Sequence, residues 1–549
     1  MRRAALLLAL VACGGSSRVP AARFANAPAV REVNDRRDVP EPPDELPYER
    51  YLANFDSLFH DRLTQPLELR RHERARGVNA LDEVPDSTWF TNRIGVRDVS
   101  PDEIAHMPGS AGSPEPYKPW TILSSKHGGL SVGFIIKDAR GEKFLLKFDP
   151  RGFPEAETST QIIVGRLLWA FGYNVTDDYV VRLRAEDLAI APDAEVKDPV
   201  GKPRPLDRAT LETMLARVEV SRDGTMRALA SRYLDGKPLG GHPPEGVRRD
   251  DPNDVIPHQL RRDLRGAYVM FEWLDHNDMH LGNTLDMYVE DPAIPGRHYV
   301  KHYFIDFGIG LGFGARKNHD PRYGYEYEVD WGAIARSLFS FGLIERPWEG
   351  RRTPRFRGLG IYDIARYDPG SWKPLTPMYT PIRLADRIDK FWAAKIMMRL
   401  KREHIRAAVD AAQLTDPRAA AWLTEALIAR QRKTARHWFE RTNPLDELAV
   451  ADHTLCFKDL SIAYAFVPAR GTEYHLVFHR RDGSRFATTR LAAGDSGVTC
   501  APLQLAGDRE GYTIVEVKTT RPGFSGTTYV HVARDPARDT ARIIGIWRR

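Results

Sequence analysis

The chain has 549 residues, 42% hydrophobic and 28% charged, with 80 basic residues against 74 acidic ones for a net charge of +6. At about 150 residues per domain this predicts two to four domains of ordinary globular composition, and excludes collagen-like, coiled-coil and globally disordered classes. The charges are interspersed rather than blocked, so nothing calls for nucleic acid as a partner, and three cysteines are too few for a disulfide scaffold or a cysteine-only zinc site.

The first element is an address. Met1-Arg2-Arg3 is basic, Ala4 to Ala12 is apolar, and small residues follow. This is the pattern of a secretory signal peptide, over residues 1–12. Leu10-Val11-Ala12-Cys13 also resembles the bacterial lipoprotein box. That resemblance implies a Cys13 that is cut free, lipidated and held on a membrane. Gly14 differs from the aspartate linked to inner-membrane retention, which leans toward the outer membrane, facing periplasm or surface. An ordinary signal peptide with an incidental cysteine is the alternative. Beyond it no apolar run of about 18 residues occurs, so no membrane-spanning helix is expected. Residues 13–75 read as a tether and lead-in, rich in Pro, Arg and Ala without period.

Residues 76–120 form an irregular lead-in, with Trp89 expected in a core. Two strand-like runs, 131–136 and 143–148, flank the hairpin turn Asp138-Ala139-Arg140-Gly141. Pro154 reads as a first-turn proline. The helix it opens, 154–171, carries Ile163, Leu167, Leu168 and Phe171 on one stripe and stops at Gly172. Strands are expected at 180–183 and 227–234, separated by an insertion over 187–225. From His258 to Leu274 the period is helical, with Leu260, Leu264, Tyr268 and Phe271 on one face. A polar loop follows, then strands at 284–289 and 299–305. Farther on, Leu384, Ile388, Phe391, Met398 and Ile405 share a helical face, and the basic residues of 395–406 read as a solvated one. Asp416-Pro417 caps a helix running to about Phe439. After Pro444, short strands and turns predict a small β-domain. Its Cys456 and Cys500 would pair across a loop of about 45 residues, adding roughly 3–4 kcal/mol, or remain two buried thiols.

The chemistry sits in His276-Asn277-Asp278-Met279-His280-Leu281-Gly282-Asn283 and Ile305-Asp306-Phe307-Gly308. Aspartate two residues after histidine, asparagine five beyond, then a strand ending in Asp-Phe-Gly, reproduce the protein-kinase catalytic spacing. Over about residues 120–440 the chain resembles the protein-kinase-like superfamily, nearer to its divergent toxin-kinase and spore-coat or secreted branches. The resemblance implies an α+β, bilobal protein-kinase-like fold with a small C-terminal β-sandwich-like domain. The β-rich N-lobe is expected over 76–235, the helical C-lobe over 236–445 and the β-domain over 446–549.

It also implies ATP and Mg2+ as cofactors. Asp278 would accept or orient the proton of an incoming hydroxyl. Asn283 and Asp306 would offer the oxygen ligands that magnesium prefers. Lys147 would reach the nucleotide phosphates, and Gly128, Gly129 and Gly133 would let backbone approach them. Tyr233 lies in a hinge segment, Arg232 to Gly236, beside the base. Kinases pair the strand lysine with a helix glutamate. The expected position is Gln161, Glu157 lies one turn earlier on the same face, and Glu155 is less well placed. His276 would support the loop, and His280 replaces the usual lysine. A metal-hydrolase reading of the same loop is the weaker one, because it leaves the helix and the Asp306 strand unexplained.

The expected function is ATP- and Mg-dependent phosphoryl transfer in the bacterial cell envelope, to a protein or small-molecule hydroxyl. The alternative is a catalytically silent pseudokinase, an envelope-binding or scaffold lipoprotein. A periplasm poor in ATP favours the second. The presence of Lys147, Asp278, Asn283 and Asp306 together favours the first.

Overall fold

The computed structural model describes residues 19, 22–46, 55–64, 73–108, 112–126, 131–197, 202–314, 322–350, 354–375, 377–537 and 540–549. The expected signal peptide, Cys13, Gly128 and Gly129 lie outside them. The described residues form two compact units, one within 30–79 and 83–441, the other within 1–29, 80–82 and 442–549. The fold is mixed α+β, with further sheets at the C-terminus. No helix among the described residues is long and apolar enough to cross a membrane.

The larger unit begins with a seven-stranded sheet. Its strands are β1 (Trp120–Ser125), β2 (Gly133–Lys137), β3 (Lys143–Phe148), β4 (Asp178–Leu183), β5 (Leu188–Lys197), β6 (Pro203–Pro205) and β7 (Met226–Arg232), in the order β4-β7-β3-β2-β1-β5-β6. The β2–β3 hairpin closes where expected. The Asp138 carboxylate accepts from the N–H groups of Arg140 and Glu142, and Gly141 takes a φ of 92°. Alternation along β3 buries Phe144, Leu146 and Phe148 on one face and turns Lys147 to the other.

The apolar face of this sheet is covered by the segment expected as an insertion. Its β5 adds parallel to β1, and Leu211 and Leu215 of its helix Arg208–Leu215 join Trp120, Phe134 and Phe144 in one core. The insertion is therefore part of the fold, and it frees the opposite face for Lys147 and the following helix.

That helix, α1 (Ala156–Phe171), has all but one residue buried. Pro154 stands outside it, not in its first turn. The start is set instead by the buried Asp149, whose carboxylate accepts from the N–H groups of Glu157 and Thr158, both at 3.0 Å.

A short strand β8 (Lys237–Pro238), helix α2 (Arg262–Leu274) and the hairpin β9 (Thr284–Glu290) and β10 (His298–Phe304) follow. Then come α3 (Trp331–Phe339), α4 (Thr380–Leu384), α5 (Arg387–Met397), α6 (Arg402–Ala411) and α7 (Pro417–Phe439). The shared face expected from Leu384 to Ile405 is thus divided among three helices. Asp386 interrupts it by capping the N–H groups of Ile388 and Asp389. Lys395 is buried against Glu83 rather than solvated. Its neighbours Lys401, Arg402 and Arg406 are exposed.

Two segments without periodicity are nonetheless packed. Trp89 and Phe90 of the lead-in are buried, with Phe90 edge-on to Phe171, Tyr173 and Trp392. Much of the expected tether is docked: Val39 N–H donates to His298 O at 2.8 Å and Leu46 N–H to Leu239 O at 3.0 Å. Tertiary partners satisfy these backbone groups where no local structure does.

The smaller unit contains β11 (Leu445–Ala451), β12 (Thr454–Asp459), β13 (Glu473–Arg480), β14 (Arg485–Ala492), β15 (Val498–Pro502), β16 (Thr513–Arg521), β17 (Phe524–Arg534) and β18 (Ala541–Arg548). They form sheets of order β11-β12-β15 and β14-β13-β16-β17-β18, which share a core of Leu455, Phe457, Leu476, Phe478, Val515 and Val530. Cys456 and Cys500 face each other across β12 and β15 and form a disulfide, the first of the two alternatives.

Candidate active site

Lys147 reaches across from β3 to Asp306. Its Nζ lies 2.6 Å from Asp306 Oδ1, with the lysine side chain 8% exposed and the aspartate 40% exposed. Burial acts to raise the Asp306 carboxyl, but the charges of Lys147 and Lys126 and the lysine hydrogen bond outweigh it and hold the group at about 2. Burial acts to lower Lys147, yet the adjacent Asp306 and the charge of Glu157 win and raise it. Both groups stay ionised at neutral pH.

Helix α1 supplies two further side chains with different tasks. Glu157 is buried beside Lys147, and Ser131 Oγ donates to its Oε1 at 2.5 Å. Its Oε2 has no hydrogen-bond partner. Burial pushes this carboxyl up to about 7, against the Ser131 bond and the Lys147 charge. The side chain lies over Gly308, where an added Cβ would sit 3.0 Å from Glu157 Cγ. Gln161 touches the backbone of the same motif instead. Its Oε1 accepts from Phe307 N–H at 2.5 Å and its Nε2 donates to Asp178 Oδ2 at 2.8 Å.

Of these two α1 side chains it is Glu157 whose charge acts on Lys147, although no ion pair within 4 Å joins the two among the described residues. Glu155 faces elsewhere, accepting from Thr415 N–H at 3.1 Å.

The β9–β10 hairpin brings the two distant motifs to one end. Thr284 pairs with Phe304, and Ile305 N–H donates to Asn283 O at 3.0 Å, so Asn283 and Asp306 flank the last rung. Asn283 Nδ2 donates to the Asp278 carbonyl, closing the loop between them. The Asp278 carboxylate is part-exposed, 3.5 Å from His280 Nε2. His276 ties this loop to the Asp-Phe-Gly segment. Its Nδ1 lies 2.7 Å from Ile309 O, and its ring meets Phe307 edge-on at 5.6 Å. Burial lowers its pKa, keeping it neutral, and the bond to a carbonyl places its proton on Nδ1. His280 is buried, and its Nδ1 accepts from Gly282 N–H. Through these bonds both histidines brace the loop backbone.

Gly133 lies opposite Lys147 in the β2–β3 register. A Cβ there would meet Leu146 O at 2.4 Å and the Lys126 side chain at 3.2 Å, so glycine is required by close backbone packing. Tyr233 directly follows β7, donates its N–H to Lys143 O at 3.0 Å, and is 44% exposed.

Lys126 was not foreseen. It directly follows β1, itself unread in the sequence, and bonds Gly133 O through its N–H at 2.9 Å. Burial and repulsion from Lys147 lower its pKa, while Asp306 and Glu157 oppose that shift. A lysine just after a strand-like run and two residues before a pair of glycines was the available signal.

No protein-family model matches the sequence, and no curated protein matches it. Among solved structures, a Golgi casein kinase with Mn/ADP bound is similar at 12% identity, covering 62% of this chain and 75% of that one, with a TM-score of 0.31. Hydra Fam20 with sugar is also 12% identical, covering 63% and 97%, with a TM-score of 0.30. The Rio2 kinase–ADP/Mg2+–phosphoaspartate complex of Chaetomium thermophilum is 14% identical, covering 57% and 72%, with a TM-score of 0.21.

Proposed function

We propose that the larger unit is a nucleotide- and divalent-cation-dependent phosphotransferase. The 2.6 Å pairing of Lys147 with Asp306, at the hairpin end that also bears Asn283, carries the reading. Phosphoryl transfer needs positioned charge rather than covalent help, and these groups supply it. Lys147 and Lys126 bind phosphate oxygens. Asp278 accepts the acceptor hydroxyl's proton as its oxygen bonds to the γ-phosphorus and the bond to the leaving diphosphate breaks.

The residues fit Mg2+ on a concrete ground: Glu157 Oε2 is a buried acid oxygen without a partner, near the open carboxylate of Asp306. Asp306, Asn283 and Glu157 would hold the ion, which when bound neutralises phosphate charge. Tyr233 stands as the hinge residue beside the base, and Gln161 holds Phe307 so that Asp306 points inward. Gly133 contributes by letting Lys126 and Lys147 lie side by side. Gly128 and Gly129 are proposed to approach the phosphates. The acceptor is a protein or small-molecule hydroxyl. The envelope location through lipidated Cys13 belongs to the same proposal, supported by the residue pattern of 1–14.

The silent-scaffold reading also has an observation behind it: Lys147 pairs with Asp306 and not with Glu157. Purified protein with radiolabelled ATP and Mg2+ or Mn2+ separates the two. Label transfer by the parent but not by Asp306→Ala supports the enzyme. Nucleotide binding without transfer supports the scaffold, and neither binding nor transfer rejects both.

A further inference from the structure

A second polar cluster lies on the same hairpin, away from the Lys147 site. Asp286 of β9 and His302 of β10 are directly paired across the strands. His302 Nδ1 lies 2.7 Å from Asp286 Oδ1, and His242, from the loop after β8, brings its Nδ1 to 3.3 Å from the same oxygen. All three side chains are buried, and one atom from each lies within 4.8 Å of the others.

Several features mark this as more than a satisfied core network. Two imidazole nitrogens converge on one carboxylate oxygen. The other oxygen, Oδ2, is held by Arg248 Nη1 at 3.3 Å, which leaves Oδ1 as a single-oxygen donor. His242 Nε2 lies 2.7 Å from Tyr379 Oη, the outer partner that fixes a metal-bound imidazole with its proton on the far nitrogen. Trp89 stacks on His302 at 3.5 Å and fixes that ring. A small cavity of about 10 Å3 beside the two rings is lined by Trp89, Tyr173, Leu264 and Phe304 as well as His242 and His302, so the rings are packed on their outer side by apolar groups. Bonds of roughly 2.0–2.1 Å place tetrahedral zinc ligands roughly 3.3 Å apart, so a slight opening of the His302–Asp286 contact admits the ion.

We infer that His242, Asp286 and His302 form a zinc site of three protein ligands that clips the β9–β10 hairpin to the loop after β8. Two imidazole nitrogens and one carboxylate oxygen are a donor set suited to Zn2+ rather than to Mg2+ or Ca2+. On binding, the single ring proton of each neutral histidine moves from Nδ1 to Nε2, so both Nδ1 atoms are free to coordinate and no proton is lost overall. The His242 proton then sits on Nε2 and donates to Tyr379 Oη. Asp286 lies three residues beyond Asn283, and His302 four before Asp306. The clip therefore stiffens the strands that end in the proposed active site, but its occupancy is independent of any activity there.

The test is elemental analysis and thermal unfolding of the untagged full chain after dialysis against chelator-treated buffer and addition of Zn2+. About one zinc per chain is expected to survive a second dialysis and to raise the melting temperature. His242→Gln and His302→Gln each should lose that zinc and the thermal shift, whereas Asp306→Ala should keep both. Co2+ in place of zinc should give the visible bands of a tetrahedral site. Absence of retained zinc and of any thermal shift in the parent overturns the inference. So does zinc that persists in both histidine variants or disappears in Asp306→Ala. Should the variants not fold, the parent's zinc content and Co2+ spectrum decide alone.

Discussion

Lys147 and Asp306, 159 residues apart in the chain, meet at 2.6 Å, the lysine buried and the aspartate open to one side. The pair is asymmetric, and so are the consequences of breaking it. Asp306→Ala leaves a buried ammonium without its partner, whereas Lys147→Ala leaves a carboxylate that water still reaches. We expect both to abolish phosphoryl transfer by at least about 100-fold. Asp306→Ala should also cost about 1–3 kcal/mol of stability, more than Lys147→Ala. Urea unfolding of the two variants beside the transfer assay checks this. Equal destabilisation would contradict the geometry.

Gln161 is expected to resist the kinase-like substitution. A glutamate there would put a second carboxylate where Asp178 Oδ2 now accepts from the amide at 2.8 Å. Gln161→Glu should lose roughly 1–3 kcal/mol and loosen Phe307. Gln161→Ala should lower transfer with little change in nucleotide affinity. A Gln161→Glu protein that is both more stable and more active would show that residue 161, not Glu157, is the lysine's acid.

The Glu157 carboxyl predicts a pH slope in metal-free protein. Burial raises its folded pKa to about 7, above the ordinary glutamate value. The folded state thus holds this proton more tightly than the unfolded state does. The contribution is fully present below the unfolded pKa and is lost as pH rises through about 7. Glu157→Gln should remove that loss, making the variant relatively more stable at pH 8 than at pH 5. Chemical denaturation at both pH values measures the difference. An unchanged difference would mean that the carboxyl is not buried as described.

In the smaller unit, the disulfide closes a loop with a sequence separation of 44. Replacing Cys456 and Cys500 by alanine should destabilise that unit by roughly 3–4 kcal/mol. Transfer activity, which uses only residues of the larger unit, should be unaffected. Calorimetry with and without reductant reads the shift.

The sequence determined what depends on short separations. Alternation set the faces of β3, Asp138 and Gly141 set its hairpin, Asp416 set the start of α7, and the spacing of Asp278 and Asn283 marked a loop with chemistry. Tertiary structure decided what depends on partners far along the chain. Which α1 side chain faces Lys147 and which holds the Asp-Phe-Gly backbone turns on a single helical turn between Glu157 and Gln161, two positions that periodicity puts on the same face. Only the path of the Asp-Phe-Gly backbone, bonded to Gln161 at Phe307, separates their tasks. Lys126, the docked segment around Val39 and the buried Trp89 carry no periodic signal, because long-range partners satisfy their polar groups and cover their apolar ones. The His242, Asp286 and His302 cluster was equally silent, since a strand register and a distant loop assemble it, and neither leaves a spacing to read.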